Sequence, residues 1–154
     1  MKIFKKDLVD LSTNAESAEE LFRESFAVLK NKGYVQDDFL EALNKREHDY
    51  PTGLEFPNIA IAIPHADPQY VSKPFIYIQK LNNKISFKHM GNASKEIFPE
   101  LVFTLGMKEG EKQLELLSEL MEFFTNEKIV EELKSINNEE KLLYLLSNNI
   151  MMEE

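Results

Sequence analysis

The run Ile59-Ala60-Ile61-Ala62-Ile63, closed by Pro64 and followed by His65-Ala66, constrains this chain more than any other stretch. Five consecutive apolar residues, rich in β-branched side chains and stopped by a proline, read as a buried strand ending at the sheet edge. In mixed α/β folds, strand ends and the loops after them are where sites are built. A histidine there has an unprotonated ring nitrogen near neutral pH, because its reference pKa is about 6.5. By position alone His65 is a nucleophile, a general base, a metal ligand or a loop residue that merely caps the strand.

The elements around this strand follow from pattern. Residues 7–12 read as an edge strand. Thr13 or Asn14 then caps a helix whose first turns carry Glu16, Glu19 and Glu20 and which Gly33 closes. Ala18, Leu21, Phe22, Ser25, Val28 and Leu29 form its inward stripe. A second helix is expected from about Asp37 to Glu47, with Phe39, Leu40 and Leu43 inward. The stretch from His48 to Gly53 breaks the pattern with Pro51 and Gly53 and reads as a loop. Beyond Ile59–Ile63, strand character returns at Phe75–Leu81, Ile85–His89 and Leu101–Leu105, with Asn82-Asn83 suggesting a tight hairpin between the first two of these. Pro74 precedes its strand, where a missing donor is tolerated. The rest is helical: Leu114, Leu117, Met121 and Phe124 mark one apolar face, Ile129, Val130 and Leu133 a shorter helix, and Leu142, Leu143, Leu145 and Leu146 a last one. Helices, then strands, then helices describe a helix-covered sheet with at least one antiparallel pair.

Composition narrows the chemistry. At 154 residues the chain is of single-domain size, with residues 1–150 expected to form the domain and 151–154 a frayed C-terminus. It has no cysteine, which removes disulfides, thiolate metal sites and cysteine nucleophiles. The net charge of −9 opposes a phosphate backbone, so nucleic acid is not an expected partner. No apolar run approaches the roughly 20 residues that span a bilayer, and no apolar segment backs the basic N-terminus, so a cytoplasmic protein without membrane insertion is expected. The three histidines, His48, His65 and His89, show no metal-ligand spacing, and GxxxxGK[ST], GxGxxG and GxSxG are all absent. Neither metal nor organic cofactor is expected. What remains is His65 with its neighbours in sequence: Arg46 before the break, and Thr52 and Gly53 within it. A guanidinium beside a histidine suits the holding of a phosphoryl group, although Arg46 alone also reads as a surface charge pairing with Glu47 or Asp49.

Arg46-Glu47, then Tyr50-Pro51-Thr52-Gly53-Leu54, then Ile59 through Asp67 form a pattern that resembles the signature of enzyme IIA of the bacterial phosphoenolpyruvate-dependent sugar phosphotransferase system, in its fructose–mannitol–nitrogen branch. The later stretches Phe87-Lys88-His89-Met90-Gly91, Leu101–Leu105 and Gln113–Leu117 fit as well, so the resemblance spans essentially the whole chain. Within the branch, Tyr-Pro-Thr-Gly-Leu, His-Met-Gly and Gln113 look most like the galactitol type; mannitol and fructose relatives commonly carry a second histidine where Gln113 stands.

The resemblance implies an α/β single domain with a central mixed sheet of about four to five strands, flanked by helices on both faces. It implies a phosphoryl relay in which phospho-HPr donates to His65 and enzyme IIB accepts, the membrane component enzyme IIC supplying the sugar. In that reading Arg46 neutralises the phosphoryl oxygens, the Thr52 hydroxyl or nearby backbone N–H groups donate hydrogen bonds to them, and Gln113 is a neutral hydrogen-bonding neighbour of the phosphohistidine or else an exposed residue in the first turn of its helix. An apolar rim is expected from Phe56, Ile59 or Tyr70. The alternative is a nitrogen-type enzyme IIA, a regulatory protein that binds partners according to its phosphorylation state.

Overall fold

The computed structural model describes residues 3–150; the frayed end expected at 151–154 lies outside them. Seven strands form one mixed sheet. They are β1 (Val9–Thr13), β2 (Gly53–Glu55), β3 (Ala60–Ala62), β4 (Phe75–Leu81), β5 (Phe87–His89), β6 (Asn92–Ile97) and β7 (Leu101–Gly106). Their order across the sheet is β1-β4-β7-β3-β2-β5-β6. The pairs β1·β4, β7·β3 and β2·β5 are parallel, and β4·β7, β3·β2 and β5·β6 are antiparallel.

The four to five strands expected from sequence are therefore too few. The two additional ones escape a hydrophobic pattern for opposite reasons. Strand β2 is three residues long and starts at Gly53, inside the Pro-Gly break. Strand β6, Asn-Ala-Ser-Lys-Glu-Ile, is an edge strand exposed along all but its last residue, so it has no buried face to alternate with. The hairpin expected at Asn82-Asn83 also does not form. Strand β4 lies between β1 and β7, while β5 turns back on β6. The two asparagines instead tie the end of β4 to the segment after β1: Asn82 Nδ2 donates to Ser12 Oγ and Asn14 Oδ1, and Asn83 Nδ2 to the carbonyls of Asn14 and Ala15.

Among the described residues five α-helices cover the two faces. On one side, α1 (Ala18–Asn31) and α2 (Phe39–Asp49) pack Leu21, Phe22, Leu29, Phe39 and Leu43 onto Ala62, Phe75, Tyr77 and Val102. The cap of α1 is Ser17, whose Oγ accepts the Glu20 N–H at 3.1 Å, rather than Thr13 or Asn14. Gly33, at φ +81°, ends this helix in the left-handed region. On the other side, α3 (Gly110–Thr125), α4 (Glu127–Lys134) and α5 (Glu139–Asn149) cover Ile61, Ile63, Ile76, Ile78, Phe103 and Leu105. Successive residues of β3, β4 and β7 thus point into opposite cores, which is why these strands are apolar at nearly every position.

The apolar face read for α3 is displaced. Leu114 is 67% exposed and Met121 also lies outward, whereas Gln113, Leu116, Leu120, Phe123 and Phe124 are buried. The helix carries more apolar residues than its inner face holds, and the surplus lies on the solvent side. Among the described residues no helix is long and apolar enough to cross a membrane.

Candidate functional site

Strand β3 hands the chain to Pro64 and His65 while still following β7. Leu105 N–H donates to the Pro64 carbonyl at 3.1 Å, and His65 bridges Leu105 in parallel register. This contact fixes the backbone of His65 against the centre of the sheet. His65 is 6% exposed, its ring at the floor of a groove of about 460 Å³ also lined by Arg46, Tyr50, Thr52, Met90 and Leu117.

The ring makes one decisive contact: its Nδ1 lies 2.8 Å from the carbonyl of Ile63. A carbonyl only accepts, so Nδ1 carries the proton and Nε2 keeps its lone pair. Burial holds the imidazole below its usual pKa of 6.5, the charge of Arg46 acting the same way and the Ile63 hydrogen bond and Asp67 opposing. A neutral ring with a free Nε2 is the form that attacks electrophiles.

Arg46 comes from the last turn of α2 and faces the same groove. Its guanidinium lies over the ring of Tyr50, with Cζ 4.9 Å from the centroid, and Nη1 donates to Asp67 at 3.2 Å. Nε is buried without a partner. With Nε unpaired and Nη1 held only by an exposed carboxylate, this guanidinium has donors to offer an anion. Asp67, two residues after His65, thus holds the guanidinium at the edge of the groove.

Thr52 is brought to His65 by the antiparallel pairing of β2 and β3, but its donors point elsewhere. Its N–H donates to Glu47 Oε2 at 2.8 Å and its hydroxyl to Glu47 Oε1 at 2.7 Å. The expected donation from Thr52 to a phosphoryl oxygen is not available in this geometry, because a carboxylate already takes both protons. Burial raises the Glu47 carboxyl to about 7, against the two Thr52 hydrogen bonds, which lower it. Beside it, Gly53 has no room for a side chain: a Cβ would lie 2.6 Å from the Lys88 carbonyl oxygen. That close approach lets Met90 N–H reach the Gly53 carbonyl at 2.8 Å and sets the β5–β6 turn at the rim.

Gln113 is buried and stands one residue away from His65 in contact terms. Its Nε2 donates to the Ala66 carbonyl and its Oε1 accepts the Met107 N–H, both at 3.2 Å. It is a strut between the loop after β3 and the loop after β7. The expected rim residues are not the ones found. Ile59 is buried at the opposite end of β3, Phe56 packs on Phe124, and Tyr70 lies beyond Arg46 beside Asp67. Tyr50 (64% exposed), Met90 and Leu117 form the apolar rim instead. Among the described residues no group of three His, Cys, Asp or Glu side chains is placed to hold a metal ion.

Residues 2–149 match the family model described as "Phosphoenolpyruvate-dependent sugar phosphotransferase system, EIIA 2". The chain belongs to this family. It is 34% identical over 86 residues to the galactitol-specific EIIA component of the phosphotransferase system of Escherichia coli K12, a stretch covering 56% of this chain and 57% of that protein. The match thus spans little more than half the length of that relative. Among solved structures, the nitrogen regulatory protein IIA-Ntr of Neisseria meningitidis superposes with a TM-score of 0.76 at 24% identity, over 94% of this chain and 97% of that one. The enzyme IIA of the mannitol system, in its complex with phosphorylated enzyme IIB from Escherichia coli, superposes with a TM-score of 0.72 at 21% identity, over 92% and 95%. At these identities the structural likeness establishes the fold.

Of the residues picked from sequence, the structure gathers His65, Arg46 and Thr52 around one groove and puts Gln113 behind it. Glu47 and Asp67 lie within the sequence pattern, which gives neither of them a role. Glu47 does carry a signal: it sits in the last turn of a helix, where the dipole disfavours negative charge, so its presence there calls for a tertiary partner. Asp67 carries none beyond its nearness to His65.

Proposed function

We propose that this chain is a cytoplasmic phosphoryl carrier of a bacterial sugar phosphotransferase system. It accepts the phosphoryl group of phospho-HPr on His65 and passes it to enzyme IIB, for uptake of a galactitol-like sugar through enzyme IIC. The observation that carries this reading is the Nδ1 hydrogen bond of His65 to Ile63, which leaves Nε2 as the nucleophile at the floor of a groove open to another protein.

In the proposed step the Nε2 lone pair attacks phosphorus in line. The phosphorus–nitrogen bond of the donor breaks, and the donor's ring nitrogen keeps that electron pair. His65 retains its Nδ1 proton throughout, so no general base is required. Transfer onward reverses the roles, with an enzyme IIB thiolate attacking and His65 leaving. Nothing covalent is asked of other side chains, and positioning and charge do the rest. Arg46, with an unpaired Nε and an exposed ion pair to Asp67, exchanges that carboxylate for the phosphoryl oxygens. Tyr50, Met90 and Leu117 offer apolar surface for a small, short-lived interface that donor and acceptor use in turn.

The test is reconstitution. The chain is incubated with phosphoenolpyruvate, enzyme I and HPr, then mixed with a galactitol-type enzyme IIB. Stepwise appearance of the group on His65 and then on the enzyme IIB cysteine is the expected outcome. A chain that is phosphorylated yet passes nothing to enzyme IIB, but changes its affinity for a kinase or transporter, is the regulatory nitrogen-type protein instead. The galactitol relative at 34% identity and the glutamine at position 113 favour the transport role.

A further inference from the structure

We propose that Glu47 is a positioning residue for His65, acting through a chain of backbone hydrogen bonds that sets both the placement of the imidazole and which of its nitrogens is free. This rests on the reading of His65 as the phosphoryl acceptor.

Glu47 accepts two hydrogen bonds from Thr52, at 2.8 and 2.7 Å. The Thr52 carbonyl accepts the Ile63 N–H at 3.3 Å. The Ile63 carbonyl in turn accepts His65 Nδ1–H at 2.8 Å. Two prolines stiffen this path, Pro51 just before Thr52 and Pro64 between Ile63 and His65, each with its φ locked near −65°. Little slack separates the carboxylate from the ring.

The same carboxylate also fixes Arg46. Consecutive residues on α2 diverge by about 100° around the helix, so Arg46 turns toward the groove and Asp67 while Glu47 turns toward β2. Gripping Thr52 locks the last turn of α2 onto β2, and β2 is paired with β3. One side chain therefore sets the distance between the guanidinium and the nucleophile. A half-buried acid at a helix C-terminus is an unfavourable choice for stability alone. Two donors on one residue, an N–H and an O–H, need two acceptors at fixed spacing, which a carboxylate supplies. On its outer side Glu47 faces a small groove toward β5, where His48 and Lys88 are the other titratable groups.

Two variants test the inference. Glu47→Ala removes both acceptors. Glu47→Gln keeps the clamp in altered form, its amide oxygen accepting Thr52 N–H and its amide nitrogen donating to Thr52 Oγ1. Single-turnover acceptance from phospho-HPr is measured for each, together with the ¹⁵N shifts of the His65 ring. Glu47→Ala is expected to slow acceptance by about 10- to 100-fold and to convert the ring from the Nδ1–H form to a mixture of tautomers. Glu47→Gln is expected to recover most of the rate and the wild-type ring signals. Wild-type rate and ring signals in Glu47→Ala overturn the inference, as does a Gln variant as impaired as the Ala one. Should Glu47→Ala fail to fold, Thr52→Val, which deletes only the hydroxyl half of the clamp, carries the same test with a smaller expected loss. If the wild-type chain accepts no phosphoryl group, the functional reading fails; the ring signals then still decide whether Glu47 sets the tautomer.

Discussion

The two ends of β3 and β7 lie on the same pair of parallel strands and do opposite things. At their starts, Ile59 and Leu101 close a hollow of about 110 Å³ against Leu11, Leu133, Ile136 and Leu142. There Lys134 donates to the Asn58 carbonyl at 2.8 Å, with Glu100 at 3.9 Å. At their ends, the chain buries an imidazole, leaves an arginine Nε without a partner and holds a carboxyl near neutrality. One end is packing. The other gathers a histidine and an arginine in one groove beside a carboxyl of shifted pKa, the combination expected of a chemical site.

Mutations at the two ends should therefore separate transfer from stability. The largest effect is expected from His65→Ala, which abolishes phosphoryl acceptance while the domain still folds, checked by intact mass and circular dichroism. Arg46→Ala follows, with acceptance slowed by about 10²- to 10³-fold, the loss typical for one donor that meets charge in the transition state; stopped transfer reactions with phospho-HPr measure it. At the opposite end, Leu133→Ala is expected to remove about 2–5 kcal/mol of stability in urea unfolding and to leave the transfer rate per folded molecule unchanged. A slowed transfer in that variant would erase the distinction between the two ends.

Gln113→Ala lies between these classes. It strands the Met107 N–H and the Ala66 carbonyl inside the protein and should lose about 1–3 kcal/mol, with slower transfer because Ala66 adjoins His65. A separate readout is the pH dependence of stability. Glu47 holds its proton up to about 7 when folded, against 4.5 for the ordinary carboxyl. The folded state thus binds more protons between those values, and the contribution of Glu47 falls as pH rises from about 4.5 to about 7. His65 acts in the other direction: its depressed pKa lets stability rise with pH up to its ordinary value of 6.5 and persist above it. The difference between wild type and Glu47→Gln in urea midpoints isolates the Glu47 part, and a flat difference across this range would contradict it.

The candidate site residues could be picked out of the sequence, whereas two strands of the sheet could not. His65 stands out because a proline stops an apolar run just before it, and Arg46 because a guanidinium near such a histidine has an evident anionic use. Strand β2 was hidden because Pro51 and Gly53 are turn residues by propensity, and only the tertiary pairing with β3 and β5 makes Gly53 a strand position. Strand β6 was hidden because an exposed edge carries no hydrophobic period. The Asn82-Asn83 pair has the composition of a hairpin turn, yet its side chains serve the β1–α1 segment across the sheet. The displaced face of α3 has another origin. Leu114 and Met121 satisfy helical spacing as well as Leu116 and Leu120 do, so periodicity alone cannot choose between the two stripes. Thr52 lines the groove with His65, but its two protons are already taken by Glu47, five residues earlier.

One ring nitrogen, Nε2 of His65, is proposed to hold the phosphoryl group. Heteronuclear NMR of the chain labelled at its histidine ring nitrogens, recorded before and after incubation with phosphoenolpyruvate, enzyme I and HPr, tests it directly. Phosphorus coupling is expected at His65 Nε2 with Nδ1 still protonated, and no such signal at His48 or His89. Coupling at Nδ1, at another histidine, or at none would contradict it.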